Sequence, residues 1–254
     1  MSDGRRHPNL VVPQLEICAE TPQACLAAYE GGADRIEICT ALGLGGVTPS
    51  HGLISAAIAA ANGLPVYVLL RPRAGNFVYS DAEFKLICDD LEQAANLGAS
   101  GFVTGILTAE RTVDESRMRR LIKLAGAKEV TFHRAFDQTH NLEDALEQII
   151  AVGCRRLLTS GGKPTVQAGL DTIPELAQRA RDRLRIAAGG GLTPVIAAEL
   201  GRITSVDLHV SLQRGGRLRA SRHDPLWDNR NVTAEISVED VRKMATIIAG
   251  YQAR

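Results

Sequence analysis

Two short hydrophobic segments near the start of the chain each carry a glutamate and a cysteine two residues apart. They read Leu-Glu-Ile-Cys and Ile-Glu-Ile-Cys, and they contain Glu16 with Cys18 and Glu37 with Cys39. Side chains alternate across a β-strand, so each glutamate shares a face with its cysteine while the aliphatic residues occupy the other face. If the aliphatic faces pack against helices, the two carboxyl groups and the two thiols point into the interior of a sheet or barrel. Carboxyl groups placed there can transfer protons. If the two strands are also adjacent, we expect Cys18 and Cys39 to be neighbours.

Other polar side chains occur where further predicted strands end. They are Arg71 and Arg73 at the end of the third strand, two residues apart and on one face, His133 and Asp137 in and after the fifth, and Asp207, His209 and Ser211 in the eighth. Because an unpaired buried charge is costly, we expect the two arginines to pair with the two glutamates. An Arg–Glu network can also serve only to plug the interior and hold the strands in register. The convergence of two His, two Arg and two Glu at strand ends favours a functional site.

Glycine-rich turns follow the sixth and seventh predicted strands. Their sequences are Thr-Ser-Gly-Gly from Thr159 and Ala-Gly-Gly-Gly from Ala188. Backbone amides in such turns can cradle an anion, which makes Ser160, Gly189 and Gly190 candidate substrate contacts. The same turns are also ordinary ways for a strand to end.

A long segment without hydrophobic periodicity, residues 214–236, follows the eighth predicted strand. Loops of this length in a compact domain are functional or disordered. We expect a lid across the mouth of the site, with arginines as anion contacts; a solvated loop is the alternative. The arginines are Arg217, Arg219, Arg222 and Arg230.

The elements that position these residues are eight β-rich runs, which alternate with segments of helical periodicity. Thr21 followed by Pro22 is typical of a helix start, and Ser80 with Glu83 forms a capping-box pattern before another helix. This alternation predicts βαβ units and a parallel sheet. Eight units favour a single-domain (β/α)8 barrel over an open doubly wound sheet, and no GxGxxG, P-loop or HExxH motif is present.

Composition narrows the classes of partner. The 254 residues contain 29 Lys and Arg against 29 Asp and Glu, so no global field attracts nucleic acid or a membrane surface. Five cysteines without a CxxC pair indicate a reducing, cytoplasmic location, and we expect Cys25, Cys88 and Cys154 to be packing residues. Residues 1–14 read as a flexible tail ahead of a barrel over 15–254.

Several longer motifs resemble the CutC copper homeostasis family. They are GGADRIEIC at 31–39, GGVTPS at 45–50, RPRAGNFVYSDAE at 71–83, VTFHRAFD at 130–137 and LTSGG at 158–162. The resemblance implies a TIM barrel, a role in copper homeostasis or tolerance, and a homodimer. It also implies Cu(I) binding at Cys18 and Cys39, because soft thiolates favour that ion.

Two functional hypotheses follow, and the sequence leaves open whether the protein is an enzyme. The first is a cytoplasmic copper-binding protein with Cu(I) at the two cysteines. The second is an enzyme acting on a small polar or anionic substrate, such as a sugar, a sugar acid or a phosphate. In that enzyme Arg71 and Arg73 would clamp the anion. His133, oriented by a carboxylate, would exchange protons together with Glu16 or Glu37. Asp137 and His209 are the further catalytic candidates.

Overall fold

Eight parallel strands close into one barrel in the computed structural model, which describes residues 12–212 and 236–251. Each strand pairs with the next along the chain, and the last pairs with the first. The strands are β1 Leu15–Ala19, β2 Arg35–Ile38, β3 Val66–Leu69, β4 Gly101–Thr104, β5 Glu129–Phe132, β6 Arg156–Thr159, β7 Arg185–Gly189 and β8 Asp207–Val210. The predicted single-domain (β/α)8 barrel is confirmed.

A helix follows every strand and covers the outside of the barrel. The helices are α1 Pro22–Gly31, α2 His51–Ala60, α3 Asp81–Asn96, α4 Glu115–Ala125, α5 Leu142–Val152, α6 Thr172–Ala180, α7 Pro194–Ile203 and α8 Val238–Ala249. The predicted start signals operate: the Thr21 side chain accepts from the Ala24 amide, and Ser80 and Glu83 form a reciprocal capping box. These caps satisfy amides that the first helical turns leave without partners.

The strands bury two different interiors. Their outward residues, such as Ile17, Ile36 and Leu157, join the helices in one large aliphatic core. The residues that point into the barrel are mostly polar or charged, and only a small apolar cluster of Cys18, Cys39, Tyr67, Leu69 and Val103 lies among them. The lumen therefore holds buried polar and charged side chains, whereas the core outside the barrel is aliphatic.

Two strands end earlier than the sequence pattern indicates. β3 stops at Leu69, which places Arg71 and Arg73 in the following loop. β5 stops at Phe132, and His133 caps a short 3₁₀ helix over Arg134–Gln138. This turn carries Asp137 away from the strand direction, so it does not continue the inward row that starts at Thr131.

The predicted tail over 1–14 and loop over 214–236 fall mostly outside the described residues. So do Arg217, Arg219, Arg222 and Arg230, whose predicted role as anion contacts stays a prediction. Among the helices that are described, none combines the length and apolar character needed to cross a membrane.

Candidate functional site

A cavity of about 270 Å³ opens at the carboxyl ends of the strands. That is the end at which barrel enzymes place their chemistry. Its polar lining comes from six strands or strand-following loops: Cys18, Glu37, Arg71, His133, Arg134, His209 and Ser211, together with the backbone of Gly45, Gly190 and Gly191. The structure thus brings together Glu37, both predicted histidines and one of the two predicted arginines.

Glu16 lies below this cavity as the centre of a buried ion-pair network. Its carboxylate accepts from Arg35 Nε at 2.5 Å, and Arg156 Nη1 approaches it at 2.6 Å. Burial opposes ionisation, but Arg156 and Arg35 outweigh it and hold the pKa of Glu16 well below its usual value. The expectation that Arg71 and Arg73 neutralise the lumen glutamates is wrong, because other strands supply nearer arginines.

The network extends to the amino ends of the strands. Arg156 Nε donates to Asp207 at 2.8 Å, and Arg185 Nη2 donates to the same carboxylate at 2.6 Å. Arg35 also contacts Glu129 at 3.2 Å. Sequence reasoning missed Arg35 and Arg156 although the alternation rule contains them: Arg35 shares a strand face with Glu37.

His209 connects the network to the cavity. Strand register sets it beside Glu16, and its Nδ1 lies 2.7 Å from Glu16 Oε1. Because Glu16 is ionised, it accepts and the Nδ1–H of His209 donates. Burial opposes a charge on the ring, yet Glu37 and Glu16 raise the pKa of His209 above its ordinary value.

Gly189 makes room for this histidine. A Cβ at Gly189 would lie 2.6 Å from Leu158 Cδ1 and 3.0 Å from His209 Cδ2. The predicted role of Gly189 as a substrate contact stays a prediction, and its visible contribution is space for the imidazole.

Glu37 and the two cysteines form the cavity wall next to His209. The Cys18 thiol lies 3.7 Å from Glu37 Oε1 and 3.6 Å from the Cys39 sulfur. Burial raises the pKa of Glu37, and its Oε2 accepts no hydrogen bond from the described residues. The hydrogen bond to Cys39, burial and the carboxylate of Glu37 raise the pKa of the Cys18 thiol well above its usual value. The two cysteines are neighbours, as expected.

His133 occupies a different environment. Its Nδ1 accepts from the Ala135 amide at 3.2 Å, and its ring lies 4.8 Å from that of Phe77. Burial and the positive charge of Arg71 lower the pKa of His133 to about 3. The expectation that a carboxylate orients this ring is wrong, because a backbone amide does so.

Arg71 and Arg73 do not form a clamp. The Arg71 guanidinium donates to the backbone oxygens of Leu44, Gly46 and Gly75, so much of its capacity holds loops in place at the cavity edge. Arg73 donates to Glu83 at 2.5 Å and lies outside the cavity lining. The two arginines therefore do not grip one anion together. Arg71 lines the cavity and its Nε has no partner among the described residues, so its contact with a substrate anion stays a prediction.

Asp137 and Ser160 orient Arg134 and do not line the cavity. Arg134 Nε donates to Asp137 at 2.8 Å, and its Nη2 donates to Ser160 Oγ at 2.7 Å. Asp137 also accepts from the amides of Ser160 and Gly162. Arg134 itself lines the cavity, and its Nη1 donates to no group in the described part of the chain. Sequence reasoning missed this arginine, although it directly follows His133.

The backbone after β7 approaches Arg134 closely. A Cβ at Gly190 would lie 2.8 Å from Arg134 Nη1, and both Gly190 and Gly191 have positive φ values. Only glycine suits this conformation beside the guanidinium. One guanidinium edge and an open glycine turn therefore face the cavity together, an arrangement suited to an anionic group.

The wall of the cavity contains two kinds of donor for a metal ion, thiols on the one hand and a carboxylate with an imidazole on the other. The ligand atoms of Cys18, Glu37 and His209 all lie within 4.8 Å of one another. The Cys39 sulfur adjoins Cys18, so two thiols are available at 3.6 Å from each other. A pair of buried sulfur donors suits Cu(I), whereas the carboxylate and imidazole are harder or borderline ligands. The donor set fits a thiolate copper site.

Comparison with known proteins decides the family. The family model described as the CutC family matches residues 13–214. The chain belongs to the CutC family. Family protein CutC of Vibrio vulnificus strain YJ016 is 45% identical over 201 residues, covering 78% of this chain and 80% of that protein.

Two further CutC proteins extend the comparison. Family protein CutC of Histophilus somni strain 2336 is 40% identical over 233 residues, covering 91% of this chain and 93% of that protein. A crystal structure of a CutC protein from Streptococcus agalactiae superimposes with a TM-score of 0.74 at 30% identity. It covers 78% of this chain and 97% of the other. The resemblance stated from motifs is confirmed at the level of family and fold.

Proposed function

We propose that this CutC protein is an enzyme that binds a small anionic molecule at the barrel mouth and exchanges protons with it. The observation that carries the proposal is the hydrogen bond of 2.7 Å between Glu16 and His209 at the floor of the cavity. A buried carboxylate that holds one nitrogen of an imidazole orients the ring and leaves the other nitrogen to act on a ligand. In this proposal His209, one of the catalytic candidates predicted from the sequence, exchanges the proton, and His133 does not.

The charges around Glu16 and His209 support proton transfer by the histidine. Glu16 is neutralised from below by Arg35 and Arg156, so its carboxylate holds the imidazole without taking the proton. Glu37 lies within 4.0 Å of His209 Nδ1 and offers a second carboxyl group to a ligand. Two neighbouring titratable groups with raised pKa values are typical of a proton-transfer site.

The anionic part of the ligand would bind at Arg134 and the glycine turn of Gly190 and Gly191. Arg134 is held by Asp137 and Ser160, so its free edge is oriented before a ligand arrives. In this proposal Ser160 acts through Arg134, which it holds in position, and does not contact the substrate itself. Gly190 remains a proposed contact.

The test uses a thermal-shift screen of small phosphorylated and carboxylated metabolites, followed by proton-exchange assays in D₂O on each stabilising compound. His209→Asn keeps an amide N–H near the position of Nδ1, so it can still donate to Glu16 while the second ring nitrogen is lost. We expect ligand binding to persist in this variant and exchange to drop by about 10²–10⁴-fold. Arg134→Gln is expected to weaken binding.

His140→Asn is the matched control, because His140 is exposed on the loop ahead of α5 and outside the cavity lining. Unchanged exchange in His209→Asn, or a screen in which no compound stabilises the wild type, would contradict the proposal.

Copper binding is the second candidate, and the sulfur–sulfur distance of 3.6 Å favours it specifically. Because the pKa of Cys18 is raised, Cu(I) must displace protons, so its affinity should rise with pH. We expect one Cu(I) per chain in an anaerobic competition assay with a chromogenic chelator. The double variant Cys18→Ser with Cys39→Ser should bind none.

Cys25→Ser with Cys154→Ser is the matched control, since these two cysteines are also buried but lie apart from the cavity. Unchanged stoichiometry in the Cys18 and Cys39 double variant would exclude the site. A cytoplasmic location is proposed with it, because all five thiols are free and buried. The homodimer stays a prediction.

A further inference from the structure

The second histidine of the cavity presents a single, defined hydrogen-bond donor. A backbone amide can only donate, so the contact of 3.2 Å from the Ala135 amide requires a lone pair on His133 Nδ1. A neutral imidazole carries one proton, and that proton must then reside on Nε2. The lining of the cavity therefore includes a neutral N–H group.

That N–H group has no partner among the described residues. His133 Nε2 is fully buried and makes no hydrogen bond, although the residue lines the cavity and is only 6% exposed. Leaving a buried donor without a partner costs about 1–3 kcal/mol. A ligand that supplies an acceptor at this point recovers that energy.

The ring is also locked in place. A Cβ at Gly105 would lie 2.5 Å from His133 Nδ1, and Phe77 packs against the ring from the side. Phe77 in turn lies under the Arg71 guanidinium, whose carbon is 5.0 Å from the ring centroid. The donor is consequently fixed in direction and stays uncharged beside the positive charges of Arg71 and Arg134.

The acceptor that suits this site is a carbonyl oxygen. A hydroxyl group would bring a proton of its own that also needs an acceptor, and the aromatic neighbours of the ring, Phe77 and Phe132, provide none. A carbonyl oxygen has lone pairs and no proton, so it matches a neutral N–H against an apolar wall.

We infer that the ligand of this cavity is an anionic carbonyl compound, whose carbonyl oxygen accepts from His133 Nε2–H while its anionic group lies at Arg134. The inference rests on the proposed function for the cavity itself. It adds the substrate class, and it makes His133 a binding residue that does not exchange its proton.

Matched pairs of probes test the substrate class. Each pair differs only in a carbonyl group replaced by an alcohol: dihydroxyacetone phosphate with glycerol 3-phosphate, and hydroxypyruvate with glycerate. We expect one carbonyl member to bind wild type at least about 5-fold more tightly than its alcohol in calorimetric titration. His133→Ala should abolish that preference, and His133→Gln, which retains an amide donor, should restore part of it.

The outcomes separate the two proposals. Equal affinity for both members of every pair, or a preference that survives in His133→Ala, overturns the carbonyl inference and leaves the anion-binding cavity standing. Binding of neither member of any pair overturns both.

A second measurement requires no variant. Long-range ¹H–¹⁵N spectra of histidine-labelled wild type should show His133 as the neutral Nε2–H tautomer at pH 7. A proton on Nδ1, or on both nitrogens, overturns the inference whatever the titrations show.

Discussion

His209 and His133 line the same cavity and differ in what holds their rings. His209 donates from Nδ1 to the ionised carboxylate of Glu16, which raises its pKa despite burial. His133 accepts at Nδ1 from a backbone amide, and burial together with Arg71 lowers its pKa to about 3. The same side chain is thus prepared for proton transfer on one side and for neutral hydrogen bonding on the other. Environment, not residue type, assigns the roles.

The difference originates in what each strand has for a neighbour. β8 pairs with β1, and this pairing sets His209 beside a carboxylate at the same level of the barrel. His133 follows β5, where the chain turns into a 3₁₀ helix and offers the Ala135 amide instead. Gly105, which lies next to Nδ1, leaves space for the ring and has no polar side chain.

The largest effect is expected from removing the carboxylate under His209. Glu16→Gln keeps the shape of the side chain and leaves Arg35 and Arg156 buried with one counter-charge fewer. We expect the free energy of unfolding at pH 7 to fall by about 3–5 kcal/mol in urea denaturation. The pKa of His209, followed by NMR, should fall as well.

Asp89→Asn is the control for this change, because it removes an ion pair with Lys85 that is exposed on α3. Exposed pairs contribute little, so its stability should stay close to that of wild type. Equal losses in the two variants would show that the buried network has no special energetic role.

The stability of the protein is expected to depend on pH through His133. Its folded pKa of about 3 lies below the ordinary 6.5, so below pH 6.5 the unfolded chain takes up a proton that the folded protein does not. Stability is therefore lost as the pH falls towards 3. Between pH 7 and pH 4 wild type should lose about 3 kcal/mol more than His133→Gln, which has no titrating ring.

For His209 the sign is reversed, because its folded pKa is raised: its contribution is present below pH 6.5 and is lost as the pH rises through the folded value. Urea denaturation of wild type and His133→Gln between pH 7 and pH 4 checks the first direction, and denaturation of wild type and His209→Asn from pH 6 upwards checks the second. Parallel pH profiles of wild type and His133→Gln would mean that His133 is protonated as readily in the folded protein as in the unfolded chain.

A smaller effect is expected at the glycine that seats His133. In Gly105→Ala the new methyl group would lie 2.5 Å from His133 Nδ1 and must displace the ring. We expect a loss of about 1–3 kcal/mol in thermal or urea unfolding, as for other overpacked sites. Gly43→Ala is the control, since a Cβ there meets nothing within 4 Å. A Gly105→Ala protein as stable as the control would indicate that the ring is not fixed.

The fold and the inward-facing residues of the first two strands could be predicted from local patterns. Strand alternation has a period of two residues, so Glu16, Cys18, Glu37 and Cys39 share the inward face wherever the barrel closes. The neighbouring cysteines followed directly from the adjacency of consecutive strands. The same rule contained Arg35, which lies two residues before Glu37 and shares its strand face.

Ion-pair partners could not be predicted in this way. Arg156 reaches Glu16 from β6, across the lumen, and that contact depends on barrel closure and on the length of two side chains. Arg73 looked equivalent to Arg71 because it is two residues away. The end of β3 at Leu69 removes the alternation that this argument assumed.

What the sequence determined alone are the features with a short period: eight strands, eight helices, their caps and the inward row of Glu and Cys. These depend on neighbours within a few residues, whose geometry is local. The tertiary structure alone decided which charge meets which and how each histidine is held. The closing of β8 onto β1 gave His209 its carboxylate, and the turn after Phe132 gave His133 its amide, because electrostatic environments arise from groups that are distant along the chain.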